Sequence, residues 1–478
     1  MRLLPNGALR RIPRQGAPRS SDPAASRHRG DDDACARGLL AMLMLTVALG
    51  IGACSNSDGT PPEGAEARSG GWIGAWGAAP YGPFPAGPLT ALGLPLDPLG
   101  MTALSLFVNQ QAVDQSFRMI VHPTIGGTRV RVRLSNLMGD RPLRLRSVRI
   151  ARRLLGPAVT PQTDTPLRFG GATEISIPPG AEIVSDAADF TFAFGDDLAV
   201  SYHVVGESGP MTWHAVSFGL NYVGLPMAGD VSGDTTGLSF VEQPSVGWFF
   251  LSGIDVLAPD AAGTIVAIGD SITDGAYEIP ESNTRWPDFL ARRLAGAGIE
   301  MGVLNEGINS NTVTTVGDTA AEGPPLVQRF ERDVLQRPGV RSVLIFEGTN
   351  DLSAGVDANA VYADLLTLVG RARAADLCVV LATIPPRDDA CCGWSRAAHE
   401  PQRQALNALI RNTGGIDAIV DFEAVLASPL EPTRPNPLLF APDLLHPNSV
   451  GFMAMADAVP LDALVPPPMG SCGRSTTH

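Results

Sequence analysis

The spacing of hydrophobic and polar positions changes character once along this chain, near residue 260. From Trp72 to about Val256, short apolar runs alternate with polar residues and are divided by Gly, Pro and Asp. The clearest is Arg129-Val130-Arg131-Val132-Arg133-Leu134. Two-residue alternation puts Val130, Val132 and Leu134 on one face and three arginines on the other, as in a strand with one buried and one wetted side. Similar runs at Ser116–Val121, Leu143–Ala151, Glu174–Ile177 and Leu198–Val205, with turn signals at Ile125-Gly126-Gly127 and Met138-Gly139-Asp140, predict an antiparallel β-sandwich of jelly-roll character over residues 71–258. Residues 80–111, rich in Pro, Gly and Leu, are too long for an ordinary turn, and a loop of that length is expected to lean over a neighbouring site.

Over residues 259–465 strands alternate with helices, the pattern of a mostly parallel sheet covered on both faces, an α/β fold. Thr264–Ile268, Val303–Gly307, Ser342–Phe346, Val379–Thr383 and Ile416–Asp421 read as strands. Trp286, Phe289, Leu290 and Leu294 recur at helical spacing, with Pro287 in the first turn and Gly296 at the end. Leu326–Leu335, Val361–Ala374, Gln402–Asn412 and Val450–Val459 complete the predicted helices. In such sheets ligands bind beyond the carboxyl ends of the strands, which says where chemistry should be sought.

The ends of the chain read differently. Leu39–Gly52 is an apolar run of 14 residues after Arg37, short for a bilayer span but suited to an export signal. Ile51-Gly52-Ala53-Cys54 resembles a bacterial lipobox, so residues 1–54 are expected to be a leader and lipoprotein signal, with Cys54 lipidated. Acyl chains contribute about 0.8 kcal/mol per buried methylene, enough when several are attached to hold the protein in the cell envelope, periplasmic or at the cell surface. Residues 55–70, rich in Ser, Gly, Pro and Glu, read as a flexible linker, and residues 466–478 as a tail.

Charge narrows the function. The chain carries a formal charge of −14, and the leader is net basic. The mature protein is therefore more acidic still, which argues against nucleic acid as a partner. There is no lysine, which removes Schiff-base chemistry and the Walker lysine. No Cys-x-x-Cys occurs and the histidines are scattered, so no metal site or cofactor is expected. Beyond Cys54 the cysteines are Cys378, Cys391, Cys392 and Cys472. One disulfide is expected outside the cytoplasm, for example from the Cys391/Cys392 pair to Cys472, although four cysteines allow three full pairings.

The first strand of the α/β half runs into Gly269-Asp270-Ser271-Ile272-Thr273-Asp274-Gly275. Flanking glycines let the chain turn sharply and leave the Ser271 hydroxyl at the strand end. A protonated hydroxyl is a poor nucleophile and needs a base. This half holds only His399, His446 and His478. His399 lies in a polar helix entry and reads as a surface residue, whereas His446 lies in Asp443-Leu444-Leu445-His446-Pro447-Asn448. That spacing lets one turn aim the Asp443 carboxylate at the imidazole, fixing its tautomer, with Ser449 placed to cap the following helix. Acyl transfer also needs donors aimed at the oxyanion, each worth about 3 kcal/mol in the transition state. Gly307, closing one strand, and Asn350, in Glu347-Gly348-Thr349-Asn350-Asp351, are candidates.

These four segments, in this order over about 200 residues, resemble the blocks of the SGNH (GDSL) hydrolases. The resemblance implies a serine esterase on a flavodoxin-like α/β/α fold with a five-stranded parallel sheet. Ser271, His446 and Asp443 would be the triad, with an oxyanion hole made by the amides of Ser271 and Gly307 and the Asn350 side chain. Asn309-Ser310 stands where many relatives carry Ser-Gly, which bears on the shape of that loop. The preceding β-domain, with Thr212-Trp213-His214, is similar to that of bacterial envelope esterases, some acting on acetylated polysaccharides. The expected substrate is therefore a short-chain acyl or acetyl ester, including O-acetylated carbohydrate.

Rival readings separate on named features. An α/β-hydrolase would need Gly-x-Ser-x-Gly, which does not occur. A metallohydrolase lacks paired ligands at helical spacing. A serine peptidase built on the same triad stays open by residue type. The rival from another class is a non-catalytic, glycan-binding envelope lipoprotein with a relic hydrolase domain. In that reading the arginines at 129, 131, 133, 144, 146 and 149 would hold an acidic polysaccharide, or Trp72, Trp76 and Trp213 would serve as sugar platforms. The plainer expectation is a solvated sheet face and core aromatics.

Overall fold

The computed structural model describes residues 71–88, 106–242, 247–389, 394–465 and Cys472, all within one compact unit spanning Thr60–His478. The leader, Cys54, the linker, most of the 80–111 loop and the Cys391/Cys392 pair lie outside the described residues.

Among the described residues the alternating half forms two large antiparallel sheets, with a two-stranded one pairing Trp213–His214 and Trp248–Phe249 beside them. One runs in the order β1 (Trp72–Gly77), β10 (Leu251–Leu257), β3 (Gly127–Ser135) and β6 (Glu182–Val184), with β7 (Ala188–Phe192) also on β3. The other is built around β9 (Tyr222–Val223), β2 (Val113–Val121), β8 (Leu198–Glu207) and β4 (Leu143–Leu155), with β5 (Glu174–Ile177) on β4 and two-residue strands extending it. Val130, Val132 and Leu134 of the first sheet share a core with Phe117, Met119, Val200 and Tyr202 of the second. Burial of this apolar face, at about 25 cal/mol per Å², is what the alternation encodes.

The arginine stripe is neutralised within the domain. Arg129 pairs with Asp189, Arg131 and Arg133 with Asp255, Arg144 with Glu174, Arg146 with Asp230 and Arg149 with Asp164. Trp76 and Trp213 are core residues, and Trp72 is covered by the Arg131 guanidinium, 4.1 Å from its ring centroid.

The second half is a parallel sheet in the order β12 (Met301–Gly307), β11 (Gly263–Gly269), β13 (Val340–Phe346), β14 (Cys378–Ala382), β15 (Ala418–Val420). After β11 the chain goes first to one side and then to the other, so the topological switch point lies at the end of β11, beside Ser271. The helices are α1 (Ser271–Asp274), α2 (Trp286–Gly296), α3 (Leu326–Phe330), α4 (Thr349–Ser353), α5 (Ala358–Ala374), α6 (Arg396–Arg411), α7 (Phe422–Leu426) and α8 (Ser449–Ala458).

Three details differ from expectation. The helix predicted over Leu326–Leu335 is α-helical only to Phe330 and then widens to a π turn over Glu331–Leu335. There the buried Asp333 receives Arg329, Arg332 and Arg337, and these charges outweigh regular spacing. Helix α6 starts ahead of Pro401, which sits inside it, rather than after it. Asn448, not Ser449, caps α8, its side chain accepting from the amides of Val450 and Gly451.

Edge strand β12 is covered by the β-domain, which removes an exposed strand edge. Thr124 Oγ1 donates to Val303 O at 2.9 Å and accepts from Val303 N at 2.8 Å, and Gly74 N donates to Thr264 Oγ1 at 2.9 Å. A disulfide joins Cys378, at the start of β14, to Cys472. This pairing takes Cys472 away from the Cys391/Cys392 pair suggested above.

Candidate active site

Strand β11 delivers Ser271 as the first residue of α1. Asp270 caps that helix, its carboxylate accepting from Ile272 N at 2.9 Å. Gly275 ends it with φ 106°, a left-handed conformation that a side chain would strain. Complete burial pushes the Asp270 carboxyl up to about 6.

Asp443, Ser271 and His446 come together. The Ser271 hydroxyl donates to His446 Nε2 at 2.8 Å, and His446 Nδ1–H donates to Asp443 Oδ2 at 2.6 Å. The other Asp443 oxygen accepts from the amides of Leu445 and His446, each at 3.1 Å. One turn thus both shapes the loop and fixes the imidazole tautomer with Nε2 as acceptor. Burial opposes ionisation of Asp443, yet the hydrogen bond and charge of His446 hold its carboxyl below the usual range. Tyr277 stacks on the imidazole, ring centroids 5.4 Å apart and planes inclined by 28°. His399 is not part of the site: it packs on Trp394, and its Nδ1 accepts from Ser395 N.

The oxyanion candidates divide. Asn350, on α4, donates one amide hydrogen to Asn311 O at 2.9 Å, which orients the side chain and leaves its second hydrogen. Gly307 departs from expectation. Its amide donates to Asn305 Oδ1 at 3.0 Å, and an amide has one hydrogen to give. Ser310 sits three residues on, exposed, with φ 63° in the left-handed region. A glycine would hold that turn without strain, and the Ser-Gly departure noted at Asn309-Ser310 was the signal in the sequence.

Behind the site runs a residue that sequence reasoning missed. Arg329 is fully buried and ties three loops together, donating to Gly269 O (3.0 Å), Glu306 O (2.7 Å) and Asn311 Oδ1 (2.8 Å). Asp351 does similar work, its carboxylate accepting from the amides of Val313 and Thr314, both at 2.9 Å. Among the described residues no cluster of three or more His, Cys, Asp or Glu is placed to hold a metal.

Residues 267–454 match the model of the GDSL-like lipase/acylhydrolase family. No curated protein matches the chain. Among solved structures, a GDSL-like lipase from Bacteroides thetaiotaomicron is 21% identical, covering 42% of this chain and 88% of its own, with a TM-score of 0.32. A carbohydrate acetylesterase from Sinorhizobium meliloti is 17% identical over 41% of this chain and 95% of its own (TM-score 0.34), and the aryl esterase of M. smegmatis 17% over 42% and 99% (TM-score 0.34). Likenesses of this order bear on neither substrate nor site. The match over residues 267–454, which coincides with the five-stranded parallel sheet, is to a family of lipases and acylhydrolases, and it supports a carboxylic ester hydrolase.

Proposed function

We propose that this hydrolase is a serine esterase that works through an acyl-enzyme on short-chain acyl or acetyl esters, including O-acetylated carbohydrate. The observation that carries the reading is the unbroken relay from Ser271 Oγ to His446 Nε2 (2.8 Å) and from His446 Nδ1 to Asp443 Oδ2 (2.6 Å). The Ser271 oxygen attacks the ester carbonyl as its proton passes to His446 Nε2. The oxyanion takes hydrogen bonds from the Ser271 amide and the remaining Asn350 hydrogen, the Gly307 amide being committed to Asn305. Collapse breaks the bond to the alcohol, which leaves with the proton from His446. Water then attacks the acyl carbon, giving its proton to His446, and that proton returns to Ser271 as the acid departs. Deep burial of Ser271, 5% exposed, favours a small acyl group.

The competing reading, a glycan-binding module with a relic hydrolase domain, predicts a broken relay and a free basic stripe. A relay of two short hydrogen bonds and an arginine stripe already paired with carboxylates favour the esterase. A fluorophosphonate probe should label the wild type and not Ser271→Ala, and p-nitrophenyl acetate should be cleaved in preference to long-chain esters. An unlabelled wild type would support the relic. In the same proposal Cys54 anchors the enzyme in the envelope. Cys54→Ala should move it from the membrane fraction to the soluble one, and retention in the membrane would refute the anchor.

A further inference from the structure

The proton on His446 Nε2 must reach the leaving oxygen, so the carbon skeleton of the alcohol passes alongside the imidazole. The ring stacked on that imidazole belongs to Tyr277, and it is 54% exposed. A half-exposed aromatic face beside the leaving group is a surface on which a flat or ring-shaped group can stack.

The loop that presents this ring is held in an unusual shape. Tyr277 (φ 70°), Glu281 (φ 64°) and Asn283 (φ 48°) all occupy the left-handed region, which is unfavourable for a residue with a side chain and persists where the surroundings enforce it. Much of that enforcement comes from the β-sandwich. Arg153, on β4, grips both Glu281 oxygens, with Nη1 to Oε1 at 2.8 Å and Nη2 to Oε2 at 3.1 Å. Glu281 Oε1 also accepts from Leu220 N at 3.2 Å, and Glu281 N donates to Phe218 O at 2.7 Å. The Arg153 side chain is 10% exposed, so the two-pronged pair is more than a surface contact. From the hydrolase side, Glu278 is buried and accepts from Ser282 Oγ at 3.2 Å.

We propose that Tyr277 selects the alcohol half of the ester by stacking against a ring-shaped alcohol, a pyranose or an aryl group, and that the β-sandwich sets this preference by clamping the Tyr277 loop through Arg153 and Glu281. The proposal rests on the esterase reading above and adds a role for the β-domain, that of completing the active site.

The test compares three acetates that share an acyl group and differ in alcohol: phenyl acetate, an O-acetylated methyl xyloside and ethyl acetate. Tyr277→Ala should lower the preference for the two ring alcohols over ethyl acetate, read as the ratio of kcat/KM values, by up to roughly tenfold and chiefly through KM, since a stacked pair contributes up to about a factor of ten. Tyr277→Trp should keep the wild-type preference, and Arg153→Gln should reproduce the Tyr277→Ala pattern more weakly. An equal fall in kcat on all three acetates, with KM unchanged, would overturn the proposal by showing that the ring serves His446 and not the alcohol. Loss of the preference in Tyr277→Trp would also overturn it, as would unchanged kinetics in Tyr277→Ala. A wild type that cleaves none of the three, or a Ser271→Ala variant that still cleaves them, would remove the esterase reading and this proposal with it.

Discussion

His214, in the β-sandwich, lies with Nε2 3.1 Å from Asp274 Oδ1, at the end of the short helix that begins with Ser271. Its two ring nitrogens meet only acceptors: Nδ1 faces Ala79 O at 2.8 Å, and Nε2 also faces Val216 O at 3.1 Å. Both nitrogens must therefore donate, which makes the ring an imidazolium in a buried ion pair with the helix that begins at Ser271.

That pair makes stability depend on pH. Burial works against the His214 charge, but Asp274 and the Ala79 carbonyl raise its pKa above the ordinary 6.5. A raised histidine contributes stability that is fully present below 6.5 and is lost as pH rises through its folded value. The wild-type Tm should accordingly fall as pH climbs above 6.5, and His214→Gln should flatten that fall. Glu306 and Tyr81 also face this pair, and Glu306, pushed up to about 7 by burial, titrates nearby. The quantity to measure is thus the difference between wild type and variant across pH 6 to 9 in thermal unfolding. Equal slopes would refute the imidazolium.

The relay predicts an order of losses. Ser271→Ala and His446→Ala should each lower kcat by roughly 10⁵ to 10⁶, and Asp443→Asn by roughly 10⁴, because the orienting carboxylate acts only through the imidazole. Steady-state kinetics on p-nitrophenyl acetate, with unfolding curves as a fold check, decides this. A larger loss in Asp443→Asn than in His446→Ala would point to a different base.

Asn350 and Ser310 differ in what their replacement does. Asn350→Ala should reduce kcat by roughly 10² to 10³ with little change in KM. Ser310→Gly keeps the backbone amide and relieves a left-handed residue, so it should retain kcat and gain about 1 kcal/mol of stability. A tenfold or greater loss of kcat in Ser310→Gly would mean that the Ser310 hydroxyl takes part in the reaction.

The Cys378–Cys472 bond closes a long loop, with a sequence separation of 94, and restricts the unfolded chain accordingly. Cys472→Ser should cost about 2–4 kcal/mol in denaturant unfolding, and reductant should lower the wild type to the same level. An unchanged midpoint under reductant would argue against the bond in solution.

Much of this site could be read in advance because its signals are short. Asp443 and His446 lie three residues apart, and Ser271 sits between glycines where an apolar strand ends, so local spacing places each group at a strand end or loop. Gly307 shows the limit. Whether its amide is free depends on where the Asn305 side chain turns, and that is set by packing, since Asn305 also donates to Thr273 O at 2.7 Å. The arginines on β3 and β4 announced a polar face, but their partners, such as Asp255 for Arg131, come from strands distant in sequence.

Sequence alone indicated the two-part architecture and singled out Ser271, His446 and Asp443 as groups that should meet, because residue periodicity and turn chemistry are local properties of the chain. Only the tertiary structure decided that the β-sandwich reaches the active site, through His214 to Asp274 and Arg153 to Glu281, pairs separated by 60 and 128 residues. Such contacts exist only once two independent cores have packed together and charges from different strands have found partners out of water. No pattern of neighbours along the chain encodes that step.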